Sequence, residues 1–111
     1  MGQRRVAITG LGLVSPFGGD LPDFFERLLA GESAVHFLRT DDIPRPLTIP
    51  FVSCQGFDAD AELGRPLAGT MDRFAQLGTA AAFRAWADAG LARSAGSEDR
   101  DAWGVAWGTA L

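Results

Sequence analysis

Residues 6–14, Val-Ala-Ile-Thr-Gly-Leu-Gly-Leu-Val, form a short continuous apolar run rich in β-branched residues and opened by Arg4 and Arg5. That pattern predicts a strand buried on both faces of a parallel sheet. Ser15-Pro16-Phe17-Gly18-Gly19 is a turn cluster, after which Asp20 is placed to cap a helix with Pro22 and Asp23 in its first turn. Leu21, Phe24, Phe25, Leu28 and Leu29 recur at helical spacing on one face, and Gly31 supplies a left-handed stop.

The pattern weakens over residues 32–69, where Pro44, Pro46, Pro50, Gly56 and Gly64 punctuate what reads mostly as connecting structure. Phe51-Val52-Ser53-Cys54-Gln55 is readable there as a short edge strand, because Pro50 before it cannot donate to a ladder. Residues 70–89 give the strongest helical signal, with Thr70 as the expected cap, Asp72 at the positive end of the dipole and Gly90 as the stop. Its stripe of Phe74, Leu77, Gly78, Ala81, Ala82, Ala85 and Ala89 is mostly small, which predicts close packing and deep burial. Residues 91–100 read as a polar loop. In residues 102–108, Trp103, Val105 and Trp107 alternate with Gly104, Ala106 and Gly108, as in a strand.

The order strand, helix, weak strand, long helix, strand is that of an α/β protein with a mainly parallel sheet. Two strong strands and two strong helices cannot cover both faces of such a sheet, so a sizeable apolar area is expected to stay open unless more chain or a partner covers it. No internal repeat, low-complexity tract or linker divides residues 1–111.

Composition narrows the chemistry. In 111 residues, 47% are apolar and 22% charged, close to soluble globular averages. The longest uncharged apolar run, residues 6–17, is too short to span a bilayer, so no membrane span is expected. Fourteen acids against ten bases give a net charge of -4 with no basic stripe, which argues against nucleic acid. One cysteine and one histidine exclude a cysteine-and-histidine zinc site, a redox pair and an internal disulfide within these residues, and a solitary thiol fits a cytoplasmic setting. The paired arginines before an apolar run imitate a secretory or twin-arginine signal, but Gly10 and Gly12 interrupt the run and no small-x-small site follows. Val6 stands where myristoylation needs Ser or Thr.

Each candidate for chemistry has a plainer competitor. Gly10-Leu-Gly12 lies between strand and helix as a dinucleotide loop would, but Ser15 replaces the third glycine and the helix starts too late to hold a pyrophosphate, so tight packing is the better reading. Cys54 with His36 is the one nucleophile and base pair on offer; Cys54 lies far from any helix start, however, and reads as a structural thiol, and His36 reads as a loop residue. Ser15 lacks the flanking glycines of a nucleophile elbow. Asp41 and Asp42 read as solvated acids in a turn. Asp72 and Arg73 open the long helix: as an exposed pair they would contribute about a few tenths of a kcal/mol, and buried at an interface they would matter for assembly, a choice that the sequence alone does not decide.

Four ordered blocks carry a resemblance. Residues 4–18, from Arg4-Arg5-Val6 to Pro16-Phe17-Gly18, are similar to the opening of the β-ketoacyl-[acyl carrier protein] synthases, the condensing enzymes of fatty-acid and polyketide synthesis. Phe24-Phe25-Glu26-Arg27-Leu28-Leu29-Ala30-Gly31-Glu32-Ser33 resembles that family's first helix with its L-L-x-G-x-S ending. Met71-Asp72-Arg73-Phe74-Ala75-Gln76, with Ala87-Asp88-Ala89-Gly90-Leu91, is similar to its M-D-R-F-x-Q helix, and Trp103-Gly104-Val105 through Gly108-Thr109 to the strand before its G-[ST]-G loop.

The resemblance implies a thiolase-like fold, of which residues 1–111 are the N-terminal portion of the first βαβ half, truncated and with no second domain. It implies a homodimer in the whole enzyme, with acyl carrier protein and acyl and malonyl thioesters as partners and neither a metal nor an organic cofactor. The family's nucleophilic cysteine and two histidines fall beyond this chain, so no catalytic residue is expected here, and Cys54 does not occupy that role. Leu111 falls where the family often has a residue lining the acyl pocket, although Ala110 replaces the expected glycine. A ketosynthase-like chain-length partner subunit without the nucleophile, another structural or interaction module, and an autonomous nucleotide-binding domain are the competing readings.

Overall fold

The computed structural model describes residues 2–91 and 102–109, in the order α1 (Leu21–Leu29), β1 (His36–Thr40), β2 (Leu47–Phe51), α2 (Ala59–Leu63), α3 (Arg65–Ala68) and α4 (Arg73–Asp88). Helix α1 follows its local signals. The Asp20 carboxylate accepts the Asp23 amide at 2.8 Å, and a proline sits in the first turn. At the other end the Gly31 amide donates to Leu28 and the Glu32 amide to Arg27, with Gly31 at φ +70°. This is the paired closure that a left-handed residue makes possible. Helix α4 ends identically, on Gly90 at φ +74°, with Gly90 donating to Ala87 and Leu91 to Trp86.

The start of α4 corrects the expectation. Asp72, not Thr70, holds the N-cap position, and it makes no side-chain capping bond. The Thr70 hydroxyl donates instead to the Leu67 carbonyl at 2.8 Å, which closes the turn after α3.

Residues 32–69 hold more than connections. His36 lies in β1, not in a loop, and β1 pairs antiparallel with β2 in the register His36 to Phe51, Leu38 to Ile49 and Thr40 to Leu47. The expected strand at residues 51–55 is displaced toward the N-terminus, with Pro50 inside it opposite Phe37. A two-stranded ribbon tolerates that proline because both of its strands are edges. Helices α2 and α3 follow, with the Asp58 carboxylate capping α2 through the Ala61 amide at 3.1 Å and Gly64, at φ +82°, turning the chain between them.

The core lies here. Phe57, Ala59, Leu63, Ala68 and Ala80 are its buried members, packed at their margin by Val14, Cys54, Leu67, Met71, Leu77 and Phe83. Helix α2 packs on α3 and on α4, while α1 and the hairpin make no comparable contact with other elements among the described residues.

The strands expected at residues 6–14 and 102–108 are not formed among the described residues. Val6 is 93% exposed and Val105 92%. A ladder needs a neighbouring strand, and among the described residues neither segment pairs with one. Residues 10–12 lie instead against α4: a Cβ on Gly10 would overlap the Ala85 carbonyl and Ala89, and one on Gly12 the Ala81 carbonyl and the Ala85 amide. The small stripe of α4 thus receives backbone, as its composition suggests, but not deep burial. Ala80 is the one residue of the helix that is buried, and Phe74 is 71% exposed.

The accessible surface is 9231 Å², whereas a compact chain of this mass shows about 5,900 Å². The radius of gyration is 18.2 Å against about 13 Å expected. Large apolar side chains stand exposed, among them Val6, Ile8, Phe37, Phe74 and Val105, although no parallel sheet is formed among the described residues.

Two substitutions separate close approach from mere flexibility. Gly12→Ala forces a methyl group into the backbone of α4 and should cost about 1–3 kcal/mol, read as a lower denaturation midpoint and faster exchange of the Leu11 amide. Gly104→Ala, where a Cβ meets nothing within 4 Å, should stay within about 0.5 kcal/mol. In the core, Leu63→Ala should cost about 2–5 kcal/mol by the same denaturation measurement.

Candidate functional site

Helix α4 presents two working faces. On one, Arg73, Gln76, Ala80 and Arg84 fall at helical spacing toward α2, α3 and the 54–57 turn. Arg73 donates from Nη2 to the carbonyls of Cys54 at 3.2 Å and Phe57 at 3.1 Å, and its guanidinium lies 4.8 Å from the Phe57 ring centroid. Arginine suits this task, since its planar fork reaches two acceptors while stacking on an aromatic face. Gln76 donates from Nε2 to the Ala68 carbonyl at 2.9 Å. The Cys54 and Ala68 carbonyls also accept the Phe57 and Met71 amides, so Arg73 and Gln76 add a second donor to each and tie α4 to the turn and to the end of α3.

Arg84 ties three parts of the chain. Its Nε donates to Glu62 Oε2 at 3.1 Å and its Nη2 to Glu62 Oε1, a bidentate pair, while its Nη1 donates to the Leu13 carbonyl at 2.7 Å. Gly19 leaves room for it, since a Cβ there would overlap Nη1. The Leu11 amide donates to Asp88 Oδ2 at 2.8 Å. Residues 10–13 are therefore held by glycine contacts and by two charged side chains of α4.

The candidate residues do not assemble into a catalytic centre. Cys54 is half-buried against the core, and its backbone carbonyl accepts from Arg73. The His36 ring stacks at a tilt on Phe51, with centroids 6.0 Å apart, and no hydrogen bond joins it to Cys54. Ser15 is closed within its own turn, its hydroxyl donating to the Gly18 carbonyl and accepting the Phe17 amide. Asp41 pairs with Arg39 at 2.7 Å on the open surface. Arg73 turns to the carbonyls of Cys54 and Phe57, which answers for this residue what the sequence left open. Leu111, the expected acyl-pocket residue, lies outside the described residues, as does most of the 91–100 loop. Among the described residues no group of three His, Cys, Asp or Glu side chains is placed to hold a metal.

Of the cavities lined by described residues, two border α4. One, of about 320 Å³, is apolar and lies between α4 and residues 105–107, lined by Phe74, Gly78, Ala82, Val105 and Trp107 among others. The Trp107 ring fits over Gly78, where a Cβ would approach it to 2.8 Å. The other, about 130 Å³, lies beside Ser15, Gly56 and Arg84. On α1, Arg27 pairs with Asp23 at 3.0 Å and Glu32 at 2.9 Å, and the Asp23 hydrogen bond, the largest cause, raises its already high pKa. It stays charged at any working pH, and the pair is exposed and readily screened.

Arg84, Glu62 and Gln76 were not singled out by sequence reasoning. The available signal was a charge at residue 84 in an alanine-rich helix, eleven positions beyond Arg73 and so on the same face.

This geometry is a small helical core fastened through side chains of α4 to an extended N-terminal segment. The family model of the β-ketoacyl synthase N-terminal domain matches residues 3–111, and the chain belongs to that family. It is similar to 3-oxoacyl-[acyl-carrier-protein] synthase 2 of Vibrio cholerae, 35% identical over 82% of this chain and 22% of the relative, and to that of Coxiella burnetii, 37% identical with the same coverage. A chloroplastic 3-oxoacyl-[acyl-carrier-protein] synthase I of Hordeum vulgare is 61% identical over 30% of this chain and 7% of its own. The chain thus spans about a fifth of the length of the first two relatives. No solved structure matches it. No helix among the described residues is long and apolar enough to cross a membrane.

The Arg84 tie is testable by a double-mutant cycle. Arg84→Met should cost about 1–2 kcal/mol in chemical denaturation, and combining it with Glu62→Gln should show a coupling of about 0.5–1.5 kcal/mol. Arg84→Met should also loosen residues 10–13, read as faster exchange of the Leu11 amide.

Proposed function

We propose that residues 1–111 are the N-terminal portion of a 3-oxoacyl-[acyl carrier protein] synthase and supply scaffold to its first α/β half, with a mainly parallel sheet completed by further polypeptide. The observation that carries this reading is the family match over residues 3–111, together with relatives named for that activity. In the whole enzyme the reaction is a decarboxylative Claisen condensation. An acyl group is held as a thioester on a cysteine. Malonyl-carrier protein loses carbon dioxide, and the resulting carbanion attacks the acyl carbonyl. The cysteine thiolate leaves, and the 3-oxoacyl product remains on the carrier protein.

Acyl carrier protein is accordingly the proposed partner, a homodimer the proposed assembly and the cytosol the proposed location, the last supported by the solitary half-buried thiol. The large exposed apolar surface supports a role as one part of a larger packed unit.

The reading frame after Leu111 should encode a T-A-C-S-like motif followed by two histidines. A stop codon followed by unrelated sequence there would overturn the proposal, and glutamine in place of the cysteine would assign the chain to a partner subunit without the nucleophile. The purified 111-residue chain, mixed with an acyl thioester and malonyl-carrier protein, should form no 3-oxoacyl product by mass spectrometry. Detectable carbon-carbon bond formation would refute the scaffold assignment.

A further inference from the structure

We draw no further inference here: the strongest candidate, the apolar groove between α4 and residues 105–107 lined by Phe74, Gly78, Ala82, Val105 and Trp107, is an unpartnered face, and nothing in the structure shows what covers it.

Discussion

The arrangement depends on backbone lying directly on helix α4. Gly10 and Gly12 reach the helix where Ala81, Ala85 and Ala89 expose its peptide groups, and a single methyl group on either glycine would meet main chain. Main chain cannot give way as the end of a flexible side chain can. The contact therefore constrains both partners, small side chains on the helix and none on the segment. Its hydrogen bonds follow from the same closeness. The Leu11 amide and Leu13 carbonyl, which a β-ladder would otherwise pair, find Asp88 and Arg84 on the helix instead.

The opposite flank of α4 works by different chemistry. There Arg73 and Gln76 reach over the short helices and the turn before them and donate to the carbonyls of Cys54, Phe57 and Ala68, while Arg84 pairs with the Glu62 carboxylate on α2. A helix of five residues and another of four have little cooperative stability of their own. Their order comes from Leu63 and Ala68 in the core and from the bonds that α4 supplies. One helix thus organises both a packed side and a backbone-contact side, while α1 and the β1–β2 hairpin, each with an apolar face, lie beyond its reach.

Legibility in the sequence tracks how local each signal is. Asp20, Gly31 and Gly90 act on the turn they belong to, and the ends they mark fall where the residues place them. Thr70 carries an equally good capping side chain but spends it on Leu67, because α3, unrecognised among the prolines and glycines of residues 32–69, ends just before it. The core was missed for the same reason: Phe57, Ala59 and Leu63 lie on a turn and a helix too short to show a period. The apolar run at residues 6–14 shows the reverse failure. Its composition suits a buried strand, but a strand exists only with a neighbour, and composition does not supply one. The family resemblance survives these local errors because it rests on four blocks in order, not on the state of any one of them. Of the expected site, Leu111 lies outside the described residues, and the plain readings of Cys54 and Ser15 agree with their surroundings.

The glycine pair shows why a motif needs its surroundings before it has a function. In a dinucleotide-binding loop, glycines at this spacing admit a pyrophosphate to the backbone, and the following helix N-terminus attracts its charge. Here the same absence of side chains is used, but the space it opens is filled by the peptide groups of α4. The Leu11 amide already donates to a carboxylate, and Ser15 closes its own turn against Gly18. An anion at this place would face Asp88 and displace a helix. Gly10 and Gly12 therefore serve approach of chain to chain, and the chemistry of the enzyme family must be carried by residues other than these.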